Sequence, residues 1–165
     1  MLLNMRSILL QTNSQLFAFN IKPAKLFFLS MTFSILVGYF FYYIELFYFP
    51  EHAGTGPFSK GESKQYIIVV SSIFAPIVET CLFQMLPFYL FKKIGINNQY
   101  LLLILPALIF GYFHTYNPLY QVGAFSSGLV FNYTYIWYSI NYKYAFVLVA
   151  LLHSAYNLYG TLFVV

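Results

Sequence analysis

The chain has 165 residues, of which 61% are hydrophobic and only 7% are charged. A soluble domain has about 25% charged residues, so this composition excludes a water-soluble globule, and its hydrophobicity excludes intrinsic disorder. The single cysteine, Cys81, excludes an internal disulfide framework and any site built from several cysteines. The net charge of +4 comes from dispersed basic residues. This dispersion favours a membrane protein with positive loops, and we expect no nucleic-acid partner.

The residues before the first long apolar stretch form a segment of their own. Leu2, Leu3 and Met5 are followed by Leu9, but polar residues from Gln11 onward interrupt the run, and no cleavage site for a signal peptide follows. This pattern is typical of a helix that lies in the membrane interface. We therefore predict an N-terminal interfacial segment at 1–25.

Five apolar stretches are long enough, or nearly so, to cross the roughly 30 Å hydrocarbon core, which takes about 20 helical residues. They are 26–49, 66–91, 100–116, 119–140 and 144–165. The third is the shortest and contains Pro106. The breaks between them are too short to hold a second domain. The sequence thus predicts an all-α, multi-spanning membrane helix bundle, with one transmembrane domain at 26–165.

The loop charges predict the orientation of this bundle. If the chain crosses five times, one side of the membrane receives most of the basic residues: Arg6, Lys22, Lys25, Lys92, Lys93 and Lys143. The other side receives Lys60 and Lys64 together with Glu51 and Glu62. Because positive loops stay in the cytoplasm, we predict a cytoplasmic N-terminus and a C-terminus outside. We expect the membrane to be a bacterial inner membrane.

Ionisable side chains inside the predicted spans are the most informative residues. Glu79 lies in the second span, His114 near the end of the third and His153 in the fifth, with Asn157 one turn further on the same face. A charge in hydrocarbon costs about 3 kcal/mol or more, so such groups face a protein interior or a wet cavity. At 1.5 Å per residue from the cytoplasmic helix ends, the first three lie roughly 18, 21 and 14 Å deep. Their similar depths predict one shared polar cavity.

A carboxylate with two imidazoles suits the activation of water. A buried Glu can act as a general base, and imidazoles can share a proton, bind a metal or donate hydrogen bonds to an oxyanion. The amide of Asn157 adds a neutral donor. By contrast, Glu45 lies near the end of the first span, where we expect it to anchor the helix at the interface. Cys81 is expected to pack as a small apolar side chain.

The same polar residues lie in recognisable motifs. Residues 75–84, APIVETCLFQ, resemble the EExxxR motif of the CAAX protease and bacteriocin-processing family, also known as the Abi family. Residues 110–114, FGYFH, match its FxxxH motif from Phe110 onward, and residues 153–157, HSAYN, match its HxxxN motif. The order of the three motifs fits over about 66–165, which we expect to be the family-like protease core.

The resemblance implies an intramembrane endopeptidase, in a family usually classed as metalloproteases and similar to the type II CAAX prenyl endopeptidase. It implies that Glu79 and His114 activate water, while His153 and Asn157 stabilise the tetrahedral oxyanion. It leaves zinc open, because His114 and His153 can serve as metal ligands but also suit a metal-free mechanism. The implied partners are membrane lipid and a peptide or lipidated-protein substrate, prenylated or not.

Two positions depart from the family motif. Thr80 stands where the motif has its second Glu, and Gln84 where it has Arg. The main alternative is therefore a non-catalytic membrane immunity or partner-binding protein on the same scaffold. A haem protein with both histidines as axial ligands leaves Glu79 without a role, and no inverted repeat in the sequence supports a transporter.

Overall fold

The computed structural model describes residues 17, 20–52, 56–58 and 61–164, which contain helices and no strands. In chain order the five main helices are α1, Pro23–Tyr48; α2, Lys64–Lys93; α3, Gln99–Phe113; α4, Pro118–Asn141; and α5, Ala145–Phe163. A short 3-10 turn, Pro50–His52, follows α1. The predicted all-α membrane bundle is confirmed. Most of the predicted interfacial segment at 1–25 lies outside the described residues and stays a prediction.

Within the part of the chain that the structure describes, three helices are long and apolar enough to cross a membrane by length and composition, namely α1, α2 and α5. Helix α3 is apolar but has only 15 residues, and α4 has 24 residues but a less apolar sequence that includes Asn132 and Thr134. The third predicted span, 100–116, extends three residues beyond the end of α3. The helix ends at Phe113, because the backbone leaves helical geometry at His114 and Asn117 caps the start of α4.

Helix α4 forms the centre of the bundle. Its buried face includes Phe131, Ile136 and Tyr138, which are at most 2% exposed. Two glycines bring α3 close to it: a Cβ on Gly128 would lie 3.0 Å from the Phe110 ring, and one on Gly111 would lie 2.8 Å from the carbonyl oxygen of Gln121. Close packing through small residues is the usual means of helix association in membranes. Here it fixes the end of α3, where His114 lies.

Helix α1 packs through small residues and exposes most of its apolar side chains. Its buried residues are Leu26, Ser30 and Ser34, and Ser30 hydrogen-bonds Thr134 of α4 at 2.9 Å. One turn further, a Cβ on Gly38 would lie 2.9 Å from the Tyr156 hydroxyl of α5. Because Ser30, Ser34 and Gly38 are four residues apart, they form one narrow face of α1 that packs on α4 and α5. The remaining surface of α1 can contact lipid.

Helix α2 is continuous but contains two wider, π-helical turns, Val70–Phe74 and Cys81–Met85. Each turn contains the residue that lies four positions before a proline. These residues are Ser72, before Pro76, and Phe83, before Pro87. A proline inside a helix lacks the N–H and its ring clashes with the carbonyl four residues earlier, so a wider turn relieves the clash. The two turns flank Ala75–Thr80, the segment that carries Glu79.

Candidate active site

Glu79 and His153 come together between α2 and α5. The Glu79 Oε2 and His153 Nε2 atoms are 3.4 Å apart, with the histidine side chain 3% exposed and the carboxylate 24% exposed. This distance is longer than a usual N–H···O hydrogen bond, so the pair is close but not tightly locked. A carboxylate that is partly open and touches a buried imidazole can reach both water and a proton carrier.

Aromatic rings enclose His153 on its other sides. The ring centroid of Phe131 in α4 lies 4.4 Å from that of the imidazole, and the centroid of Phe110 in α3 lies 6.0 Å away. Its Nδ1 atom is buried and has no hydrogen-bond partner among the described residues. These contacts fix the position of the ring, and they leave Nε2 as the atom that meets Glu79.

His114 joins the same region from the end of α3. Its Nδ1 lies 2.6 Å from the carbonyl oxygen of Phe110, and its ring centroid lies 4.3 Å from that of Phe110, the ring that also neighbours His153. Because a carbonyl oxygen only accepts hydrogen bonds, Nδ1 carries the hydrogen and Nε2 of the neutral ring is free to accept a proton. His114 and His153 are close enough to interact electrostatically.

Asn157 is held by the backbone of α2 rather than by Glu79. Its Nδ2 donates to the carbonyl oxygen of Ser71 at 2.8 Å. In this π-helical turn the Ala75 N–H bonds to Val70, and the next residue, Pro76, has no N–H to offer Ser71. The Asn157 amide therefore satisfies a carbonyl that the proline leaves without a backbone donor.

Thr80 and Gln84, the two positions that depart from the family motif, face the interior. Thr80 is fully buried and Gln84 is 2% exposed. The Thr80 hydroxyl and both polar atoms of the Gln84 amide lack hydrogen-bond partners among the described residues. The inner face of α2 thus keeps polar side chains where the family motif has charges, without pairing them.

Several residues near the site were missed by the sequence reasoning. The Tyr116 and Tyr120 side chains lie within electrostatic range of Glu79, and the Tyr120 and His114 rings stack with centroids 5.9 Å apart. Glu45 does more than anchor α1, because it accepts a 2.9 Å hydrogen bond from Asn117, the residue that caps α4. No spacing rule connects these residues, which are brought together by tertiary packing alone.

The donor atoms do not form a three-ligand metal site. Among residues 17, 20–52, 56–58 and 61–164, no three His, Cys, Asp or Glu side chains come together in a way that could hold a metal ion. A catalytic zinc site takes three protein ligands, whereas here the Nδ1 of His114 is engaged by Phe110 and the Nε2 of His153 meets Glu79. Zinc binding by the two histidines stays a prediction.

The fold and these side chains define the class of protein: an integral membrane helix bundle with an acid–base pair in its interior. The family described as Type II CAAX prenyl endopeptidase Rce1-like matches residues 62–159. This match covers more than half of the chain, and the protein belongs to that family of proteases. All four candidate catalytic residues lie within it. No curated protein and no solved structure matches the chain.

Proposed function

We propose that the protein is an intramembrane endopeptidase that hydrolyses a peptide bond of a membrane-associated substrate with activated water. The observation that supports this most directly is the 3.4 Å contact between Glu79 and His153 inside a bundle of the Rce1-like family. In this proposal the N-terminus is cytoplasmic, as the loop charges predict, and the membrane is a bacterial inner membrane.

The proposed reaction uses the groups in the order in which charge develops. Glu79, helped by the free Nε2 of His114, takes a proton from water, and the resulting hydroxide adds to the peptide carbonyl carbon. His153 donates from Nε2 to the oxyanion, and Asn157 contributes through the second hydrogen of its amide, since the first is held by Ser71. When the C–N bond breaks, Glu79 returns its proton to the leaving amine.

Removal of the Glu79 charge tests the proposal. Glu79→Gln keeps the size of the side chain but cannot accept the proton, so we expect peptide cleavage in liposomes to fall at least a hundredfold, as for loss of a general base. Glu45→Gln, which neutralises the other carboxylate of the bundle, is the matched control and should keep most of the activity. A panel of prenylated and unprenylated peptides defines the substrate class.

A second candidate function is a non-catalytic immunity or partner-binding protein, which the unpaired Thr80 and Gln84 favour. In that case Glu79 and His153 serve only to hold α2 and α5 together. Glu79→Gln and His153→Ala would then lower the melting temperature, and any phenotype of these variants would follow the loss of folded protein. Absence of peptide cleavage in wild type as well as in Glu79→Gln, with Glu79→Gln and His153→Ala both less stable, would replace the peptidase proposal with this one.

A further inference from the structure

An apolar groove of about 750 Å³ lies between α1 and α4, away from the polar site. It opens outward, since Phe33, Leu36 and Phe40 on its α1 wall are each more than half exposed. The opposite wall comes from α4 and includes Ser126, Val130 and Tyr133. On a bundle that sits in a membrane, a groove with this opening faces the lipid.

Helix α4 separates the groove from the candidate active site. Phe131 packs on His153, whereas its neighbour Val130 lines the groove. Successive side chains on a helix point about 100° apart, so the two residues face different sides of α4. An occupant of the groove is therefore distinct from a peptide held at Glu79 and His153.

Two basic residues, Lys22 and Lys25, each lie one helical turn before a residue that lines this groove at one of its ends. Lys22 precedes the first residue of α1 and Lys25 lies in its first turn, and both are exposed. At helical spacing, Lys22 lies on the same face as Leu26, and Lys25 on the same face as Leu29, both of which line the groove. An apolar channel with two ammonium groups at its mouth is complementary to a molecule with an anionic head and a hydrocarbon tail.

The dimensions suit one chain of a bilayer lipid. The α1 wall runs from Leu26 to Phe41, which is about 22 Å at 1.5 Å per residue. A single leaflet of hydrocarbon is about 15 Å thick, so a tail that starts at the level of the lysines lies within the groove over its whole depth. Basic pockets between helices on the cytoplasmic side are known to bind anionic headgroups.

We propose that the groove between α1 and α4 binds an anionic phospholipid of the surrounding bilayer, with its phosphate at Lys22 and Lys25 and an acyl chain along α1. The acyl chain fills the space between α1 and α4 beside the narrow contact at Ser30 and Ser34, and it thereby stabilises the packing of α1 on α4. This site is independent of the peptidase proposal, because it shares no residue with it.

The test is native mass spectrometry of the protein released from nanodiscs that contain equal amounts of phosphatidylglycerol and phosphatidylcholine. We expect wild type to retain one phosphatidylglycerol. In the Lys22→Gln/Lys25→Gln variant the ratio of lipid-bound to lipid-free protein should fall roughly 25-fold, about a factor of five per lysine. The matched control, Lys93→Gln/Lys143→Gln, removes the same charge elsewhere and should retain the lipid like wild type.

The tail is tested separately from the head. Ser126→Phe places a ring in the groove and should abolish retention of the lipid. The control, Val147→Phe, lies at an exposed position of α5 and should retain the lipid. If Ser126→Phe fails to fold, Leu36→Trp repeats the test from the α1 wall. Equal loss in the lysine variant and its control would overturn the proposal. So would displacement of the lipid by a farnesylated peptide, or a dimer that carries no lipid.

Discussion

At the scale of single residues, Asn157 links the chemistry of the site to the backbone of α2. Its amide is the donor for the Ser71 carbonyl, which Pro76 leaves without a backbone partner. A buried acceptor that loses its donor costs about 1–2 kcal/mol in a membrane protein. The same amide is proposed to assist the oxyanion, so its structural and chemical roles have to be separated by experiment.

We expect Asn157→Ala to lower the free energy of unfolding by about 1–2 kcal/mol, because the Ser71 carbonyl is left unpaired. In a Pro76→Ala background the cost should be smaller, since the new backbone N–H can donate to that region of α2. Thermal unfolding in detergent of the four proteins of this double-mutant cycle measures the coupling. Additive effects would show that Pro76 and Asn157 are not coupled through the Ser71 carbonyl.

Gln84 offers the opposite case, a buried amide that finds no hydrogen-bond partner among the residues that the structure describes. Gln84→Met has a similar volume and removes two unsatisfied polar atoms, so we expect unfolding free energy to rise by about 1 kcal/mol or more. Peptide cleavage should be retained, because Gln84 makes no contact with Glu79 or His153 that the mechanism uses. A drop in stability on this substitution would mean that the amide is hydrogen-bonded in the membrane.

At the scale of helices, the close approach of α3 and α4 sets the position of His114. Gly111→Ala would place a methyl group 2.8 Å from both the Gln121 carbonyl oxygen and the Phe125 Cβ, so the end of α3 has to move. We expect a loss of about 1–3 kcal/mol in stability, as in overpacked cores, together with a loss of cleavage. The measurement is unfolding and activity of the same preparation.

Gly160→Ala is the matched control for this substitution. Nothing lies within 4 Å of a Cβ at Gly160 in α5, so the change only removes backbone freedom. We expect it to stabilise the helix by up to about 1 kcal/mol and to leave cleavage unchanged. Equal effects of the two alanines would mean that the contact at Gly111 does not position His114.

The sequence predicted the helices and proposed a set of polar residues for the site, but it did not predict which of those residues are in contact. Apolar length predicted five helices, and the cost of a charge in hydrocarbon singled out Glu79, His114 and His153. The contact of Glu79 with His153 rather than His114 depends on how α2 and α5 are rotated, and the prolines of α2 change that rotation through its π-helical turns. The periodicity of apolar and polar residues in the sequence does not predict how α2 and α5 are rotated about their axes.

At the scale of the whole molecule, the loop charges predict an orientation in the membrane that is open to direct measurement. Five crossings would place Lys93 on the cytoplasmic side and Glu62 outside. In a Cys81→Ser background, an impermeant maleimide added to intact cells should therefore label Glu62→Cys, and should label Lys93→Cys only after the membrane is opened. The two positions lie at opposite ends of α2, which is long enough to span the bilayer, so each serves as the control for the other. Labelling of both from the same side would mean that α2 does not cross, and Glu79 would then lie outside the membrane interior that its proposed role requires.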